Sequence, residues 1–89
     1  MLVYGGANGV NPTNVFVNGC VFNDSKNGAS RKAAIETGND YNAAYNITIN
    51  DITVNGFAVN AVSGSKIWGN KNSMTKEKLN VVIDGVDVY

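Results

Sequence analysis

Histidine is absent from the 89-residue chain. That absence removes any Ser-His-Asp or Cys-His catalytic system, and any His-containing metal site, from the sequence. Charge of either sign is also missing as a net quantity: seven basic and seven acidic residues cancel, so no nucleic-acid-binding surface is expected. Cysteine occurs once, which forbids an internal disulfide and leaves the redox compartment unassigned; apolar alternation around Cys20 predicts a buried thiol rather than a reactive one. No apolar run approaches the roughly 20 residues needed to span a bilayer, and no basic segment followed by an apolar stretch opens the chain, so neither membrane insertion nor a leader is expected. Helix-forming stretches are scarce too. Only Ser73-Met-Thr-Lys-Glu-Lys-Leu79 has helical composition, enough for a single turn that Ser73 could cap.

Asparagine, by contrast, is the commonest residue, with fifteen positions, followed by valine, while glycine contributes ten. Asn and Gly tolerate left-handed backbone, and with Val and Ile between them they predict many short strands separated by tight corners. Three segments share one template: Asn14-Val-Phe-Val-Asn18-Gly-Cys-Val-Phe22, Asn46-Ile-Thr-Ile-Asn50-Asp-Ile-Thr-Val54 and Asn80-Val-Val-Ile-Asp84-Gly-Val-Asp-Val88. Their first residues lie 32 and 34 apart (14 to 46, 46 to 80), and the apolar markers Val3, Ile35 and Ile67 recur every 32 residues, each followed within three residues by Gly. A fixed period built from strands predicts an all-β chain that stacks like on like, a β-solenoid of about three coils with a period of about 32 residues.

Period-two alternation assigns faces. Val15 and Val17, Ile47 and Ile49, Val81 and Ile83 point inward, followed past each corner by Cys20 and Phe22, Ile52 and Val54, Val86 and Val88. Stacked in parallel, these residues and the markers form continuous apolar columns. Asn18, Asn50 and Asp84 fall at the corner and are expected to stack as a structural ladder. A competing arrangement remains open. Asn18-Gly19, Asn55-Gly56 and Asp84-Gly85 are also strong two-residue hairpin signals, which would give an antiparallel β-sandwich. Against it stand the poorer Asn50-Asp51 pair and the synchrony of the markers.

The repeated Asn-Val-Phe-Val-Asn-Gly-Cys-Val-Phe pattern resembles the coils of the right-handed parallel β-helix of the pectate-lyase-like superfamily. The resemblance covers nearly the whole chain but rests on pattern rather than on a catalytic signature. It implies a single β-solenoid domain over residues 1–89, a segment of a larger protein or assembly, with Asn23 to Lys32 and Ala58 to Lys66 as excursions from the coils. The superfamily includes polysaccharide lyases and hydrolases, bacterial surface adhesins, and bacteriophage fibres and tailspikes. For a lyase it implies a calcium-binding cluster of acids beside an Arg or Lys. In this chain the acids fall in different columns, with Glu36 expected between Tyr4 and Trp68 and Asp51 between Gly19 and Gly85, and the one arginine, Arg31, falls in a loop. Tyr4-Gly5-Gly6-Ala7-Asn8-Gly9 lacks the Lys and following helix of a phosphate-binding loop.

Tyr4 and Trp68, each one residue after a marker, are expected to project outward, as are Phe16 and Val82 by parity. Together they leave more exposed apolar surface than a small monomer tolerates. Three uses stay open: a subunit interface, cover by the chain's own loops, or a platform for sugar rings. Neither end of the stack carries a visible cap, and open solenoid ends call for partners. The expectation is therefore a non-enzymatic structural or adhesive module, a homo-oligomer or one chain beside another in an assembly such as a phage fibre, capsid decoration or bacterial surface protein, with polysaccharide as a candidate ligand. No catalytic residue, cofactor or metal is implied, and the virion or the extracellular surface is the favoured location. The alternative is a fragment of a polysaccharide lyase or glycoside hydrolase whose active site lies on coils not present here.

Overall fold

The computed structural model describes residues 1–5, 14–24, 33–40 and 43–89; Arg31, and most of the Asn23 to Lys32 excursion, lie outside them. The described residues are all-β, without helix. Nine strands follow in order: β1 (Leu2–Gly5), β2 (Asn14–Asn18), β3 (Val21–Asn23), β4 (Ile35–Asn39), β5 (Tyr45–Asn50), β6 (Thr53–Asn55), β7 (Trp68–Asn70), β8 (Leu79–Ile83) and β9 (Val86–Asp87). They make three open sheets with orders β1-β4-β7, β2-β5-β8-β9 and β3-β6. Every pair is parallel except β8 with β9.

Register follows the template. Asn14 lies opposite Asn46 and Asn46 opposite Asn80, so Val15, Ile47 and Val81 form one column and Val17, Ile49 and Ile83 the next. Phe22 faces Val54 in the smallest sheet. Ile35, Ile47, Ile49, Leu79 and Val81 are fully buried, each removal from water contributing about 1.5–3 kcal/mol. Ile83 is only half-buried, because its neighbour on the far side, Val86 of β9, is itself 61% exposed and gives it little cover.

The markers behave otherwise. Val3 lies opposite Thr37, and Ile35 opposite Trp68, not Ile67. This one-residue slip turns the last marker strand over, since a shift of one exchanges the two faces. Burying Trp68 in place of Ile67 hides a far larger apolar surface, and Ser65 secures the register by accepting the Ile67 and Trp68 N–H groups on its Oγ at 2.9 and 3.3 Å. Glu36 consequently faces Leu2 and Gly69, not Tyr4 and Trp68.

The corners share a left-handed residue at one register position: φ is 65° at Gly19, 53° at Asp51 and 81° at Gly85. In the third repeat Asp84 is left-handed as well, at 48°. Two successive positive φ values make a type I′ turn, so β9 folds back on β8, with Val82 opposite Asp87 and Ile83 opposite Val86. The hairpin thus prevails at one of its three candidate sites. It pairs the edge of β8 that would otherwise stay open, and it leaves Val86 and Val88, expected inward, at 61% and 42% exposure. It also caps this end of the core: the Val81 N–H donates to the Tyr89 carbonyl at 3.0 Å, and the Val88 N–H to the Val81 carbonyl at 2.9 Å. The turn anticipated over Ser73–Leu79 starts at Thr75, whose carbonyl accepts the Lys78 and Leu79 N–H groups.

Candidate interaction surface

Among the described residues, no group of three or more His, Cys, Asp or Glu side chains is placed to hold a metal ion, and no helix is long and apolar enough to cross a membrane. What the molecule presents is strand edge, an asparagine-lined corner and scattered apolar side chains.

The four outward candidates separate. Phe16 is 67% exposed and shares an outward column with Thr48 and Val82; Val82 is half-buried. Tyr4 sits on a different sheet, 39% exposed, opposite Gly38. The absent side chain of Gly38 makes room for it: a Cβ there would lie 2.8 Å from the Tyr4 ring and would collide with the Asn72 carboxamide. The Tyr4 hydroxyl donates to Asp40 Oδ1 at 3.0 Å, and this hydrogen bond to a carboxylate, with desolvation and the charge of Asp40 adding to it, holds the phenol above its ordinary ionisation range. Trp68 does not project outward. It is 4% exposed and packed 5.4 Å from the Tyr89 ring.

The ladder at the corner is realised by hydrogen bonds. Asn50 Nδ2 donates to Asn18 Oδ1 at 3.3 Å, while Asp84 Oδ1 accepts the backbone N–H of Asp51 at 2.9 Å. Parallel stacking repeats the device twice more, from Asn46 to Asn14 at 3.3 Å and from Asn55 to Asn23 at 2.8 Å. In the third repeat Asn80 turns instead toward the hairpin, donating to Asp87 Oδ1 and to the Tyr89 carbonyl, both at 3.1 Å.

Two buried polar side chains escaped the sequence reading. Tyr45, 4% exposed, accepts the Gly38 N–H on its hydroxyl at 3.1 Å and lies 3.0 Å from the Val3 and Gly38 carbonyls, tying β5 to the β1–β4 pair. Burial raises its ionisation above the ordinary tyrosine range, and hydrogen bonds from Gly38 and Thr37 temper the rise. Thr37, fully buried, accepts the Trp68 indole N–H at 2.9 Å. A strand alternation that reads Ile-Glu-Thr-Gly-Asn, with Thr on the same face as Ile, was the available signal for it.

A groove of about 230 Å³ opens at the capped end, lined by Val62, Ser63, Trp68, Asn70, Val88 and Tyr89 among others. Its polar groups are engaged with the chain's own backbone: Ser63 Oγ with the Trp68 carbonyl, Asn70 with Met74 at both amide atoms, and Tyr89 OH with the Met74 carbonyl. No family model, characterised protein or solved structure matches the chain.

Proposed function

We propose that the chain is a segment of a right-handed parallel β-solenoid serving as a non-enzymatic structural or adhesive module, assembled with further copies of itself or beside neighbouring chains. The observation that carries this reading is the in-register parallel stacking of strands about one period apart, β1 under β4, β2 under β5 and β3 under β6. Such stacking converts a repeat into a rod whose side chains form columns, a geometry suited to extended supports. The resemblance to the pectate-lyase-like superfamily, and to its fibres and adhesins in particular, belongs to the same proposal. The acid-base apparatus of its enzymes finds no histidine to use and no stacked acids, since Glu36 faces Leu2 and Gly69.

The test combines mass and turnover. Light scattering over a concentration series is expected to give a mass above that of one chain, and incubation with acidic and neutral polysaccharides in calcium is expected to release neither unsaturated nor reducing ends. Turnover that disappears in Arg31→Ala would replace this reading with the lyase alternative.

A further inference from the structure

β2 is an edge strand. In the order β2-β5-β8-β9 nothing among the described residues pairs with its outer side. Which backbone groups face that side is settled by the ladder: the Gly19 N–H donates to the Asn50 carbonyl of β5 at 3.0 Å, and in a strand alternate residues direct their N–H and C=O to the same side. Gly19, Val17 and Val15 therefore bond to β5. The N–H and C=O groups of Asn14, Phe16 and Asn18 point away from it, with no strand partner among the described residues.

The sequence of this edge, Asn14-Val15-Phe16-Val17-Asn18, reads identically in both directions. We propose that β2 is the contact by which two copies of this chain pair, antiparallel, about a two-fold axis lying midway between their two Phe16 residues. In that register Phe16 lies opposite the same residue of the second copy and Asn14 opposite Asn18. All of these are outward-pointing residues, so each facing pair exchanges both its N–H···O=C bonds, and every open backbone group of the strand is satisfied. Moving the register by two residues leaves open groups at each end; moving it by one exchanges the faces. In the two-fold register Val15 of one copy meets Val17 of the other on the core side, extending the apolar column. Phe16, 67% exposed in the single chain, packs against its equivalent outside.

The rest of the sheet restricts growth to this edge. The opposite edge is β9, a strand of two residues already paired to β8, too short to carry a second ladder, and a contact of β2 with itself uses the same surface on both copies, so it closes a two-fold dimer rather than an endless filament. This inference rests on the reading that the chain assembles with its own copies, and it identifies the surface.

Cross-linking tests it. Phe16→Cys in a Cys20→Ala background brings two thiols together across the axis at a Cα separation of about 5.5 Å, within disulfide reach. Mild oxidation is expected to give covalent dimer at least tenfold faster than with Val86→Cys, exposed on the opposite edge, in the same background. Separately, Phe16→Glu sets two like charges face to face and is expected to weaken dimerisation roughly 100-fold in sedimentation equilibrium, with circular dichroism unchanged. If the wild-type chain assembles but Phe16→Glu assembles equally well and the two thiol variants cross-link at equal rates, assembly stands and this interface is wrong. If the wild-type chain is monomeric throughout, both readings fail.

Discussion

The indole N–H of Trp68 donates to the hydroxyl of Thr37 at 2.9 Å inside the core, and that hydroxyl lies 3.4 Å from the Gly69 carbonyl, which accepts from it. Trp68 is on β7 and Thr37 on β4, neighbours in one parallel sheet. The bond explains how the largest apolar side chain of the chain can lie inward: a buried indole requires an acceptor, and the marker strand one repeat earlier supplies it.

Thr37→Val removes that acceptor while keeping the shape, and strands the indole N–H. The expected cost is about 1–3 kcal/mol of unfolding free energy in urea. Combined with Trp68→Phe, the loss should fall short of the sum of the two single losses by about 0.5 kcal/mol or more. Strict additivity would mean that the pair does not interact in the folded protein.

Tyr45 makes an equivalent link between sheets, and its ionisation gives it a pH signature. Its folded-state ionisation lies above the ordinary value of 10.0, chiefly through burial. The unfolded chain then loses its proton first as pH rises, so the folded state holds more protons in that window and stability falls with increasing pH. The contribution is complete below about pH 10 and is lost progressively above it. Tyr45→Phe should remove this part of the alkaline decline and, by depriving the Gly38 N–H of its acceptor, cost about 1–3 kcal/mol at neutral pH. Denaturation curves at several pH values, with absorbance titration of the phenols, measure both.

Much of this architecture was legible. The template fixed the columns Val15–Ile47–Val81 and Val17–Ile49–Ile83 because period-two alternation and the 32-residue step carry register directly. It failed for the marker strands, where a short stretch ending in Gly and Asn can sit in either phase and only the identity of the buried residue, Ile67 or Trp68, decides. It failed again at Asp84-Gly85. Asn18-Gly19 has the same local chemistry, yet there Asn18 keeps negative φ and its carboxamide accepts from Asn50. The difference lies in whether another parallel strand follows, which is a tertiary matter. Of the four residues expected outward, Phe16 and Tyr4 are exposed, Val82 is half-buried and Trp68 is buried.

The type I′ turn can be probed at its second residue. Gly85 has φ of 81° with no atom within 4 Å of a would-be Cβ, so a side chain there meets backbone strain but no clash. Gly85→Val should cost about 1–3 kcal/mol and loosen β9 selectively. Hydrogen exchange at the Val81 and Val88 amides, both bonded across the hairpin, should quicken before that at Gly19 or Asp84, whose N–H groups bond to β5.

The column through Ile49 carries the most severe test. Ile49 is fully buried on β5, which has parallel neighbours on both sides, and lies between Val17 and Ile83. Ile49→Val removes one methyl group and should cost about 0.5–1.5 kcal/mol. Ile49→Asp instead sets a carboxylate among aliphatic neighbours with no partner, a penalty of several kcal/mol against a total stability of roughly 5–15 kcal/mol for a domain, and a chain this short lies at the low end of that range. Cooperative folding should be lost. Ile83→Asp, at the half-buried end of the same column, can turn its charge toward water and should be the milder change. A soluble Ile49→Asp that melts cooperatively, or an Ile83→Asp more damaging than Ile49→Asp, would contradict a core built by parallel stacking with β5 at its centre.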